Sequence, residues 1–276
     1  MESRYEFQKR VNQALELIGP EVLSYDESEF WMIRSLYEYL DYYAVEKRLF
    51  NTAVALPLAR GLHNGTHRKA KLTRNEKSYH FPYVIHPLSV CRMLADMNMD
   101  LSHDEQDILL AAALCHDMIE DIQFPDYGRE LTDSYHLDPR VYETVFLLSK
   151  RYDFTPEEER DHFHGIESNK LSLLIKLSDR GNNVEDLYNR SCWKVHEYVG
   201  ETRNFFIPMI YYGFRHFPEL TPAIEVLHDK IVTLTGIAEL LVDRYEKRMQ
   251  ELEQELNDLQ NENDLLRAQC RKLWME

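Results

Sequence analysis

The sequence predicts an all-α protein: a helical bundle with an N-terminal helical extension and a C-terminal coiled-coil helix. Helix-start punctuation recurs along the chain, while strand-like alternation bounded by hairpin turns is scarce. A central run, Ile108 to Leu114, is apolar on every side, as in a helix buried on all faces. Near the C-terminus apolar residues recur in heptads.

Residues 1 to 46 read as an acidic, aromatic pair of helices forming the extension. Tyr37, Tyr39, Tyr42 and Tyr43 there make a stripe suited to packing rather than to a cofactor. Pro87 can open a helix carrying Leu88, Val90, Met93 and Leu94. Ser102 and Glu105 fit a capping box ahead of the central apolar run. Asp138 with Pro139, and Thr155 with Pro156 and Glu158, mark two more helix starts. Gly61, Gly65, Gly128 and Gly165 fall in expected connections.

Val242, Met249, Leu256, Asn263 and Cys270 recur every seven residues, with Tyr245, Leu252, Leu259, Leu266 and Leu273 three places after each. These are the a and d seams of a coiled coil, and an asparagine at a selects a two-stranded, in-register pairing. A parallel homodimer through roughly residues 238 to 274 is expected, with antiparallel packing on its own domain as the alternative.

A chain of 276 residues can bury a substantial core, and a formal charge of -16 argues against a nucleic-acid partner. No run is long enough to span a bilayer, and the start MESRYEFQKRV lacks a signal peptide's apolar core, so no membrane partner and a cytoplasmic setting are expected. Cys91, Cys115, Cys192 and Cys270 are scattered and read as reduced thiols, with Cys115 as packing material.

The chemistry concentrates in LLAAALCHDMIED, Leu109 to Asp121. Helical spacing puts Glu120 one turn from His116 and Asp117, and Asp121 one turn from Asp117. Several carboxylates at the edge of a buried helix repel unless a cation or shared protons hold them, and a divalent metal is the simplest remedy. The pairs His103-Asp104 and His228-Asp229 serve as controls, lying where capping or an ordinary amphipathic face explains them. Two further apolar runs, FPYVIHP and LSLLIKLSD, deliver His86 and Asp179, with Asn183 one turn beyond. Imidazoles and carboxylates without thiolates suit manganese, iron, magnesium or catalytic zinc. The basic run RKAKLTRNEK, with Arg68, Lys69, Lys71, Arg74 and Lys77, supplies a patch for phosphate in an otherwise acidic chain.

In order, HNGTHR (63–68), PYVIHP (82–87), AALCHDMIED (112–121) and IKLSDRGNN (175–183) closely resemble the hydrolase domain of the Rel/Spo alarmone enzymes and their small stand-alone relatives, which are HD-domain phosphohydrolases. The resemblance covers approximately residues 47 to 217, continuing through ETRNFFIPM (201–209), and leaves 218 to 276 as the zipper helix. It implies that His86, His116, Asp117 and Asp179 bind manganese, that Glu120 and Asp121 orient and deprotonate the attacking water, and that Arg68, Lys69 and Asn183 contact the nucleotide. The implied reaction removes the 3′-pyrophosphate of guanosine tetra- or pentaphosphate, without synthetase activity. Removal of the 2′-phosphate of NADPH and a non-catalytic dimeric nucleotide sensor are the alternatives. The chain departs from the family's usual pattern at Thr66, where glutamine is common, in additional residues between Lys69 and Phe81, and in Gly181-Asn182, where Leu-His is usual.

Overall fold

The computed structural model describes residues 2–74, 77–122, 128–150 and 154–273, of which 69–74, 77–79, 122, 188–189 and 272–273 are described by backbone alone. Ser3 opens α1 (Arg4–Ile18) through a capping box with Glu6, and Phe7, Val11, Ala14 and Ile18 bury its inner face. Asp26 caps α2 (Glu27–Lys47). Both helices lie on α3 (Phe50–Leu62) and share the main apolar core. Three members of the tyrosine stripe pack as expected, with Tyr37, Tyr39 and Tyr43 partly buried against this core and the Tyr39 hydroxyl donating to Asp96 Oδ1 at 2.5 Å, whereas Tyr42 points outward and is exposed.

After α3 the chain departs from purely helical expectation. β1 (His67–Arg74) and β2 (Lys77–Pro82) form an antiparallel hairpin, with Arg74 opposite Lys77 and an irregularity between His67 and Lys71. The described residues of the expected insertion between Lys69 and Phe81 thus pair with one another through their backbone groups. The Tyr83 amide, donating to the Thr66 carbonyl at 2.8 Å, ties the hairpin's base together.

The rest is helical: α4 (Ile85–Ala95), α5 (His103–Cys115), α6 (Met118–Ile122), α7 (Glu130–Asp133), α8 (Pro139–Leu148), α9 (Pro156–Ser168), α10 (Lys170–Asn183), α11 (Cys192–Glu201), α12 (Ile207–His216) and α13 (Thr221–Leu273). The expected caps at Ser102, Asp138 and Thr155 are all made. α4 starts two residues before Pro87, which sits in the first turn, where a missing N–H leaves no helical bond unmade. α5 is buried along its whole length from Asp107 to Cys115, enclosed by α3, α4, α8 and α10. Gly65 and Gly128 lie in connections with φ of +75° and +90°, but Gly61 and Gly165 are inside helices. A Cβ on Gly61 would stand 2.0 Å from the Val22 carbonyl oxygen, so this glycine exists for close approach rather than for a turn.

The first part of α13 packs on α10, α11 and α12, and its Ala238 and Val242 are buried beside Val195 and Val199. The expected a-site Val242 is therefore covered by its own chain. From Tyr245 onward the seam faces outward, with Met249, Leu252, Leu256, Leu259 and Leu266 exposed. No described helix is long and apolar enough to cross a membrane.

Candidate active site

Three helical termini converge. α5 ends at Cys115, and His116 and Asp117 occupy the turn before α6, which carries Glu120 and Asp121. α4 supplies His86 from its first turn, and the last turns of α10 supply Asp179, Asn182 and Asn183. His86 Nε2 lies 3.1 Å from Asp179 Oδ1 and 3.5 Å from Asp117 Oδ2, and His116 Nε2 lies 3.2 Å from the same Asp117 oxygen. The ligand atoms of His86, His116 and Asp179 fall within 4.8 Å of one another, and Asp117, outside that mutually close set, adjoins it through the two imidazoles.

Each imidazole is held through its other nitrogen. His116 Nδ1 lies 2.8 Å from the Ala113 carbonyl oxygen, and His86 Nδ1 lies 2.7 Å from Asn182 Oδ1. Both Nδ1 atoms donate, which turns both Nε2 atoms inward, the arrangement of metal-ligating histidines. His116 Nε2 is buried and makes no hydrogen bond, for its short approach to Asp117 lacks the required direction. Such an orphaned acceptor beside two carboxylates fits a divalent cation in the space they share.

Charges here are strongly linked. Burial opposes ionisation of Asp117 and Asp179, but the imidazoles, with Lys176 beside Asp179, overcome it and hold both carboxyls below the usual range. Burial also opposes protonation of His86, and the bond to Asp179 together with Asp117 raises it instead, so a cation and a proton compete for this position. Glu120 and Asp121 shift the other way: burial, then the charge of Asp117, pushes both up. Glu120 accepts from the Lys150 amide. The Tyr83 hydroxyl donates to Asp117 Oδ2 at 2.7 Å.

The cluster forms the floor of a cavity of about 460 Å³ lined also by Arg68, Glu120, Lys176, Asn183, Arg190, Lys194 and Tyr198. Arg68 reaches it from β1, donating to Asn182 Oδ1 and Asn183 Oδ1 at 3.3 Å each, and Asn183 donates to Asp179 at 2.5 Å. Arg68 and Asn183 are thus together at the site, whereas the Lys69 side chain lies outside the described residues. Asp121 stands beside Tyr83 and is not among the residues lining the cavity. Lys176, Arg190, Lys194 and Tyr198 were not singled out from sequence. Lys176, three residues before Asp179 on the same helix, carried the one usable signal. Buried His63 lies against Tyr83 with both ring nitrogens unbonded, and burial pushes it down to about 4. The two control pairs are structural: His103 Nε2 meets the Lys47 carbonyl oxygen at 2.8 Å, and His228 contacts its neighbour Asp229 on α13.

Residues 83–183 match the HD domain family, and His86, His116, Asp117 and Asp179 all lie inside that stretch. Over a wider region the chain is similar to alarmone enzymes. It is 29% identical over 187 residues to a guanosine-3′,5′-bis(diphosphate) 3′-pyrophosphohydrolase of Vibrio cholerae, covering 65% of this chain and 24% of that relative. It is 26% identical over 198 residues to the bifunctional (p)ppGpp synthase/hydrolase SpoT of Escherichia coli, covering 67% and 25% respectively. The chain therefore spans about a quarter of the length of these relatives.

Proposed function

We propose that the chain is a manganese-dependent (p)ppGpp 3′-pyrophosphohydrolase that releases pyrophosphate and GDP or GTP and has no synthetase activity. The observation that carries this reading is the aim of two imidazole Nε2 atoms at two aspartates on the floor of a cavity with a cationic wall. His86, His116, Asp117 and Asp179 would hold the ion. When bound, it acidifies water and offsets charge on the phosphate. Glu120, on the cavity wall, takes the proton of the attacking water, and Asp121 supports it from behind Tyr83. The water oxygen bonds to the phosphorus attached to the ribose 3′ oxygen; that P–O bond breaks, and the sugar oxygen takes a proton. Arg68, Lys176 and Lys194 offset the charge of the phosphates. Asn183 orients the nucleotide, and Lys69 joins it by resemblance to the family.

Incubation with manganese and either guanosine tetraphosphate or NADPH tests the assignment. Pyrophosphate should be released from the alarmone, and Asp117→Asn should lower that rate by about 100-fold or more. Phosphate from NADPH with the alarmone untouched would replace the substrate by the 2′-phosphorylated dinucleotide. Tight nucleotide binding without any product under saturating manganese would make the chain a sensor. An assay for pyrophosphoryl transfer from ATP to the 3′-hydroxyl of GDP or GTP, with release of AMP, should stay at background.

On this reading residues 47–217 are the hydrolase unit, preceded by the extension 1–46 and followed by the zipper 218–276, in a cytoplasmic setting that suits four unpaired cysteines. The outward seam from Tyr245 supports a parallel homodimer. In-register pairing sets Arg248 at g opposite Glu253 at e, and Glu262 opposite Arg267, joining opposite charges across two copies.

A further inference from the structure

Away from the cavity, a second group of metal-ligand side chains stands where α13 crosses α11. His196 of α11, with Asp243 and Glu246 of α13, brings one ring nitrogen and two carboxylate oxygens within 4.8 Å of one another. His196 Nε2 lies 3.1 Å from Glu246 Oε1. Asp243 and Glu246 are one turn apart, so their negative charges share a helix face and repel. Among the described residues no lysine or arginine pairs with Asp243 to relieve this.

The helices carrying these ligands are locked together beneath them. Val195, next to His196, and Val242, next to Asp243, are both buried in the small apolar cluster that joins α11 to α13. Ligands on packed helices are held more rigidly than ligands on loops, which lowers the ordering cost of capturing an ion.

We propose that His196, Asp243 and Glu246 form a second divalent-cation site, of the zinc class, that fastens α13 to α11. One imidazole and two carboxylates provide three protein ligands, and water completes the shell on the exposed side. Two residues along a helix rotate a side chain by roughly 200°. Lys194 and Tyr198 therefore point to the cavity from one side of α11 while His196 points to α13 from the other. The cation would tie the cationic wall of the cavity to the root of the projecting helix. This site is independent of the hydrolase reading.

Calorimetric titration of the full chain with zinc tests it. His196→Ala should bind one zinc fewer per chain than the wild type, and Asp243→Asn should weaken the same site by about tenfold or more, which is about 1.4 kcal/mol. Asp117→Asn should lose a different zinc, that of the HD centre, so the two sites fail separately. The substituted side chains are exposed at His196 and Asp243, and far-ultraviolet circular dichroism should be unchanged. Zinc should also slow tryptic cleavage at Arg244 and Lys247 in the wild type and not in His196→Ala. Equal zinc stoichiometry in the wild type and both variants at 196 and 243, or cleavage indifferent to zinc, overturns the proposal.

Discussion

Asn182 occupies a position where the family usually has histidine, yet its side-chain oxygen accepts from both His86 and Arg68. It joins the metal-ligand candidates to the cationic wall without being a ligand candidate itself. Partners of this kind fix the tautomer and the ring orientation of a ligating histidine. Asn182→Ala should therefore weaken manganese binding by about 10- to 100-fold, whereas Asn182→Asp, which keeps an acceptor, should bind manganese far more nearly as the wild type does. Calorimetry reads both variants without reference to turnover; equal affinities for the alanine and aspartate variants would remove this role.

At the scale of elements, α3 begins without a cap of its own, for Leu49 offers no side-chain acceptor. Asp107, buried on α5, does the capping from another helix: it accepts from the amides of Asn51 and Thr52, from the Asn51 amide group and from the Thr52 hydroxyl. This carboxylate satisfies orphan donors at the N-terminus of α3 and binds α3 to the central helix. Asp107→Ala leaves those donors buried and unpaired, and should lower stability by about 3 kcal/mol. Urea denaturation at neutral pH checks it, and a loss under 1 kcal/mol would mean that water takes over the capping.

Across the whole molecule the body accounts for Ala238 and Val242 of the long helix but leaves the following seam bare. A run of exposed leucines on one face is unfavourable in water unless another helix covers it. Pairing of two copies in parallel and in register would place the Cys270 thiols opposite each other at an a layer, within reach of a disulfide. Oxidation with copper phenanthroline should then yield a covalent dimer, abolished by Cys270→Ser. Asn263→Lys should reduce the solution mass toward the monomer by placing like charges together at a buried layer. A monomeric mass for the wild type would dismiss the dimer, and a dimer that never crosslinks would dismiss its parallel register.

Local interactions made much of this protein readable from its residues alone. Capping boxes at Ser102 and Thr155 and the cap at Asp138 act within one helical turn, and the apolar run from Ile108 to Leu114 is a demand for burial wherever it lies. The candidate ligands were legible for the same reason, since each ends an apolar stretch, but their shared role rested on resemblance. Tertiary structure alone decided that His86, His116, Asp117 and Asp179 meet, because helix packing around α5 sets distances between residues far apart in the chain. It likewise decided the hairpin at 67–82, the service of Asp107 to α3 and of Asn182 to His86, and the arrival of Lys194 and Tyr198 at the cavity. Hydrogen bonds and field effects between distant segments leave no periodic trace, so sequence carries periodicity and caps while packing supplies the coincidence of groups that chemistry needs.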